Sequence, residues 1–224
     1  MLISNSNPKG DIKDSGYYRA VGGSTPGSLE LAKLFQKSHS TVIRNGNQLE
    51  ELIYENCNLK FKDNKVKLSE KLLKNKNLFM VKCNISKQYT SNNKAIALDA
   101  LYLTDDKIYV VEIKDGSNFD TKKSSGEVHK LKKAAEIISL NDPHKRKCEL
   151  KIVLWNCDDL KDSSFKDKEA TSWLMRGKDF SKLIEVDFDF LNQKRTLDKD
   201  ENYLYVMSEF KRIYDMDKHL IEKK

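Results

Sequence analysis

The stretch Ala97-Leu98-Asp99-Ala100-Leu101-Tyr102-Leu103-Thr104-Asp105-Asp106-Lys107-Ile108-Tyr109-Val110-Val111-Glu112-Ile113-Lys114 decides the fold of this chain. Two apolar, strand-forming runs, 97–103 and 108–114, flank a polar tetrapeptide whose Asp105-Asp106 centre suits a two-residue turn. If Thr104 pairs with Lys107, each step back along the first strand matches a step forward along the second. Asp99 then falls opposite Glu112. Directly opposed side chains project to the same face, with Cβ atoms about 5 Å apart. Lys114 lies two residues beyond Glu112 and shares that face. Two carboxylates and one ammonium are thus expected at the open end of an apolar hairpin.

Facing carboxylates repel, and such a pair is relieved by a shared proton or a bound cation. Hard oxygen ligands with open coordination positions suit Mg²⁺, which keeps several waters and often bridges to phosphate. A neighbouring lysine can orient or help deprotonate an attacking water, while a divalent ion polarises a phosphoryl oxygen. The set suits phosphodiester hydrolysis. The competing reading is a hairpin whose polar residues merely fray at the sheet edge.

Outward from the hairpin, Leu78 to Ile85 reads as a preceding strand, followed by polar Ser86 to Lys94. After Lys114 comes a polar, turn-like stretch. Ser124 with Glu127 forms a capping-box pattern, and Val128, Leu131, Ala135 and Ile138 carry a helical stripe to about Leu140. Asn141-Asp142-Pro143 stops that helix. Glu149 to Trp155 reads as a strand buried on both faces, so the strand–helix–strand crossover implies a parallel pair within a mixed sheet.

Nearer the N-terminus, Gly22 to Ser28 has the glycine spacing of a phosphate loop but lacks the Lys-Ser/Thr that should follow, so that reading is rejected. Thr25 as N-cap with Pro26 at the first helical position opens a helix through Leu31, Leu34 and Phe35. A second helix is expected after Asn45-Gly46, capped by Asn47, with Leu49, Leu52 and Ile53 on its apolar side. Residues 58–77 read as a small hairpin or loop. Further on, Glu169 to Met175 reads as helical, Ile184 to Phe190 alternates like a strand, and Tyr203 to Ile221 forms a C-terminal helix. No linker marks a boundary, so 1–224 is read as one domain.

A net charge of +7, with 41 Lys+Arg against 34 Asp+Glu, is compatible with a polyanionic partner. The four cysteines (57, 83, 148 and 157) have no zinc-like spacing, and Cys83 and Cys148 belong to apolar runs where packing is their default role. The N-terminus lacks signal-peptide features and no apolar run reaches membrane-spanning length. A cytoplasmic protein with no membrane association and no organic cofactor is expected.

The order helix, strand, hairpin, helix, strand, with Asp99 and Glu112-Ile113-Lys114 on the hairpin, resembles the PD-(D/E)XK nuclease superfamily over roughly residues 45–156. Without fused domains, the chain looks most like a type II restriction endonuclease. The resemblance implies an α/β fold in which a central mixed sheet is flanked by helices around an αβββαβ core. Segments 1–44 and 157–224 would then serve DNA recognition or dimerisation. It also implies Mg²⁺-dependent cleavage of double-stranded DNA by a homodimer, each subunit cutting one strand. Asp99 and Glu112 correspond to the metal-ligating carboxylates, with Ile113 as a further ligand position and Lys114 as the water-orienting base. Glu50 matches the acidic residue that many members place on the first core helix; its other reading is the capping-box partner of Asn47, and Glu51 is a substitute at the same turn. Leu98 stands where the motif name has proline, and no glutamine motif follows Lys114, which argues against RecB-type exonucleases. A junction-resolving, repair or RNA-directed nuclease, or an inert nucleic-acid-binding module on the same fold, are the alternatives.

Three other features are weighed beside the hairpin. Asp187 and Asp189 read as the solvent side of an edge strand. Lys122, Lys123, Lys130, Lys132 and Lys133 form a basic stripe suited to a phosphate backbone, or simply a solvated helix face. Arg19, Arg44, Arg176 and Arg195 are the scarcer side chains able to read guanine edges.

Overall fold

The computed structural model describes residues 2–63, 66–86, 95–116, 121–160 and 169–221, with the side chains of 43, 45–47 and 121–124 excepted. The polar stretch expected at 86–94 lies almost wholly outside these residues, and so do the Lys122, Lys123 and Ser124 side chains. The elements are α1 (Gly16–Val21), α2 (Pro26–Asn56), β1 (Val66–Lys67), α3 (Glu70–Leu73), β2 (Leu78–Ile85), β3 (Ile96–Leu103), β4 (Lys107–Lys114), α4 (Thr121–Asn141), β5 (Lys147–Leu154), β6 (Leu174–Arg176), α5 (Gly177–Leu183) and α6 (Phe188–Ile221).

The six strands form one mixed sheet in sequence order, β1-β2-β3-β4-β5-β6. β2–β3 and β3–β4 are antiparallel; β1–β2, β4–β5 and β5–β6 are parallel. This is the expected mixed sheet with flanking helices, and the β4–α4–β5 crossover gives the expected parallel pair. Thr104 N donates to Lys107 O at 2.9 Å, and the ladder runs Leu103↔Ile108 to Ala100↔Val111, the register read from the sequence.

The chain divides into two compact units. One comprises residues 49–188 and contains the whole sheet; the other comprises 1–48 and 189–224. In the first, Val128, Leu131, Ala134 and Ile138 of α4 join Met80, Leu98, Leu101, Val110 and Ile152 of the sheet in one apolar core. Alternate strand residues face the other way, where the Phe79 ring meets Tyr102 and Phe180 of α5. Gly177 opens α5 where a Cβ would lie 2.5 Å from the Trp155 carbonyl, so only glycine admits this approach. Arg146 is a buried pillar. It pairs with Asp142 and donates to the carbonyls of Leu73, Asn75 and Thr104, tying the end of α4 to α3 and to the β3–β4 turn.

In the second unit, Thr25 caps α2 as expected, its Oγ1 accepting from Ser28 N at 3.2 Å. The same hydroxyl donates to Asp217 of α6, and Arg212 of α6 pairs with Glu30 at 2.9 Å. Of the residues expected on one side of the C-terminal helix, Ile213 is buried, whereas Leu204, Met207, Phe210 and Tyr214 are exposed.

Several expectations are corrected. α2 continues without a break through Asn45-Gly46-Asn47, so Asn47 is no cap and Glu50 no capping-box partner. The buried positions Leu34, Thr41, Leu49 and Ile53 keep helical phase across the break expected there, and burial outweighs the weak helix propensity of Gly and Asn. Residues 58–77 contain the short strand β1 and helix α3 rather than a hairpin. Glu169 to Met175 is a 3-10 turn running into β6, not an α-helix. Ile184 to Asp187 leads into α6, which begins at Phe188, so Asp187 and Asp189 do not share a strand face. α4 begins at Thr121, and Ser124 lies inside it rather than at its cap.

Candidate active site

Asp99 sits where β3 parts from its neighbours. On the β2 side the paired positions are Val81↔Ala100 and Cys83↔Leu98, with Lys82 and Asp99 skipped between them. Lys82 has φ +51°, an uncommon conformation for a non-glycine residue. The buried side chains change phase there, from Met80 to Cys83 and Ile85 on β2, and from Ile96 and Leu98 to Leu101 and Leu103 on β3. On the β4 side the ladder stops at Ala100↔Val111. A regular continuation would have Ile113 N donating to the Leu98 carbonyl. Instead Ile113 N donates to Asp99 Oδ2 at 2.8 Å. The acid takes over a backbone bond that the diverging strands leave open.

Glu112 is only 2% exposed, and each of its carboxylate oxygens meets an ammonium. Lys114 Nζ lies 2.5 Å from Oε1, and Lys130 Nζ, from α4, lies 2.6 Å from Oε2. Lys130 also pairs with Glu127 at 2.6 Å, and Lys114 approaches Glu127 at 3.6 Å. The result is a closed network of two acids and two lysines. Lys114 carries opposing effects: partial burial lowers its pKa, but the charge and hydrogen bond of Glu112, with the charges of Glu127 and Asp99, together outweigh burial and hold it above the usual lysine range. Lys130 is raised in the same way, with the acids Glu112 and Glu127 overcoming its burial.

Asp99 has no such relief. Burial, and then the charge of Glu112, push its carboxyl up to about 7. Glu50, on the last turns of α2, is also raised to about 7, by burial first and by the charge of Asp99 second, with Glu112 adding to it. Among the described residues no hydrogen bond or ion pair is made to Glu50, whereas its neighbour Glu51 pairs with Lys82 at 2.8 Å. Glu50 therefore shares the electrostatic field of Asp99 and Glu112, and Glu51 turns to β2.

The donor set fits a hard divalent cation. Asp99 and Glu112 supply carboxylate oxygens, and their mutual repulsion favours a bound cation. Lys114 O is committed to the N–H of Trp155, the residue just past β5, at 2.8 Å, so strand alternation turns the Ile113 carbonyl toward the gap beside β3. The carboxylates are not gathered into a ready cluster: among the described residues no three His, Cys, Asp or Glu side chains converge as metal ligands.

The sequence reading missed two participants. In the sequence Glu127 reads as a cap and Lys130 as part of a basic stripe, yet both join the ion network. Their signal is helical phase: 127 and 130 are one turn apart beside the buried positions 128 and 131, on the edge of α4 next to the sheet. Lys132 of the same stripe pairs with Glu169 at 2.7 Å. Of the candidate arginines, Arg176 pairs with Asp179, Arg44 donates to Asn7 O and Arg19 to Asp14 O. The cysteines are free thiols; Cys57, Cys83 and Cys157 are buried, consistent with packing roles.

Among known proteins, the chain is 30% identical over 226 aligned residues to the type II restriction enzyme HhaII of Haemophilus parahaemolyticus, with 94% of each chain covered. No family model and no solved structure matches it. Among the described residues no helix is long and apolar enough to cross a membrane.

Proposed function

Because the chain belongs to the type II restriction enzyme family, we propose that it is a Mg²⁺-dependent, site-specific endonuclease hydrolysing both strands of DNA. The observation that supports this reading is Asp99, bonded to Ile113 N where β3 leaves β4, lying in the electrostatic field of Glu112 and Lys114. Asp99 and Glu112, with the Ile113 carbonyl, would hold the cation, and Glu50 would occupy a further position toward it. Bound there, Mg²⁺ would supply electrostatic polarisation of the scissile phosphate. Lys114, kept as an ammonium by Glu112, orients the attacking water and offers positive charge to the phosphate oxygens. The apolar strand ends around Asp99 and Glu112 limit competing solvent and strengthen these charge interactions.

One such site per chain and two strands to cut imply a homodimer. The flanking segments 1–44 and 157–224 are the regions left to read sequence and join subunits around the catalytic core at about 45–156. The test is incubation of the purified chain with plasmid DNA and Mg²⁺, with and without a chelator. Discrete fragments that disappear on chelation support the proposal. An unspecific smear would remove site specificity from it, and an intact plasmid under all divalent ions would overturn it.

A further inference from the structure

Glu112 is held by two lysines where a cation-binding carboxylate needs open oxygens. We propose that Lys130 is the resident counter-ion of Glu112 in the metal-free enzyme, a positioning residue that a divalent cation displaces on entering. The inference rests on the proposed function and deepens it by assigning how the cation site is kept and opened.

The geometry distinguishes the two lysines. Lys114 leaves the same strand as Glu112, two residues on, with its backbone fixed by pairing to β5, and it approaches the second acid, Glu127, only to 3.6 Å. Lys130 comes from a helix and has a second acid, Glu127, one turn earlier at 2.6 Å. It can release Glu112 and remain paired. It also lines an open groove of about 280 Å³ beside the site, formed with Ala95, Ile96, Gly126, His129 and Lys133. Among the described residues, a Cβ at Gly126, one turn before Lys130, would meet nothing within 4 Å, so α4 is open on that side. A buried carboxylate without a cation would be costly. Lys130 neutralises Glu112 until a metal does so, and its departure frees Oε2.

This exchange makes metal binding and Lys130 compete, which a purely structural lysine would not do. The full-length protein is titrated with Mn²⁺ alone, followed calorimetrically and by electron paramagnetic resonance. Lys130→Met should bind Mn²⁺ about five-fold more tightly or better, because the competing ammonium is gone. Lys130→Arg, which keeps the charge, should stay near wild type. Glu127→Gln should weaken Mn²⁺ binding by leaving Lys130 only Glu112, and this effect should vanish in the Lys130→Met background. Lys132→Met makes the same charge change two residues on, at a side chain paired with Glu169, and should leave Mn²⁺ affinity unchanged. Without metal, Lys130→Met should melt below wild type, and saturating Mn²⁺ should close the gap. Lys130→Gln carries the same comparison if the methionine variant does not fold. Mn²⁺ binding by wild type with equal or weaker binding by the folded Lys130 variants overturns this inference alone. No Mn²⁺ uptake by wild type overturns the proposed function and this inference with it.

Discussion

Asp99 and Glu112 occupy one site but carry their charge differently. Glu112 is buried and doubly paired, whereas Asp99 is buried with one backbone amide and a like charge nearby. Removing either carboxylate, in Asp99→Ala or Glu112→Gln, should lower cleavage by about three orders of magnitude or more while circular dichroism shows the fold retained. Lys114→Ala should lose most of the rate, by about two orders of magnitude, yet still bind divalent ions in calorimetry. The raised Asp99 carboxyl also has a sign. Its folded pKa, about 7, lies above the unfolded value, so the associated stability is present at low pH and lost as pH rises through about 7. Asp99→Asn keeps an acceptor for Ile113 N without the charge. In metal-free thermal melts it should gain on wild type between pH 5 and pH 8 by about 2–4 °C or more, which is about 1 kcal/mol at this chain length. A gap that is constant with pH would contradict the origin given for the shift.

At the level of elements, the hairpin and α4 act together. The hairpin register follows from sequence, but its turn is anchored from outside, by Arg146 donating to the Thr104 carbonyl. Arg146→Ala should therefore cost about 3–5 kcal/mol in denaturant unfolding, since it strands buried Asp142 and frees three carbonyls. A loss below about 1 kcal/mol would show that the pillar is dispensable. α2 and α6 show where local signals mislead. Asn45-Gly46-Asn47 reads as a break, yet the buried phase on either side is continuous and the helix runs through. Glu185-Val186-Asp187-Phe188-Asp189-Phe190 alternates like a strand, but Phe188 begins α6 and its ring meets Trp155 at 5.1 Å between centroids. Short alternation cannot separate a strand from a turn entering a helix.

For the whole molecule, the proposed function gives the basic balance of 41 Lys+Arg against 34 Asp+Glu its role in phosphate contacts. Binding of a DNA duplex in Ca²⁺ should weaken steeply as salt rises, with a linear log–log slope that measures the phosphates neutralised. Sedimentation at equilibrium should give twice the 25.9 kDa chain mass if each subunit cuts one strand. A monomer that still makes double-strand breaks in a single binding event would overturn that arrangement.

The sequence by itself determined the four central strands β2 to β5, the hairpin register and the β4–α4–β5 crossover, because alternating burial and a tight turn leave few ways to pair apolar runs. It also set Asp99, Glu112 and Lys114 on neighbouring stretches of one hairpin. Only the tertiary structure decided how those charges are balanced. Lys130 and Glu127 reach Glu112 from a helix beyond the hairpin, Glu50 arrives from far earlier in the chain, and Asp99 turns to the Ile113 amide where the strands part. Ion pairs between distant segments leave no periodic trace in a sequence, since they depend on which side chains the packed elements bring within a few ångströms.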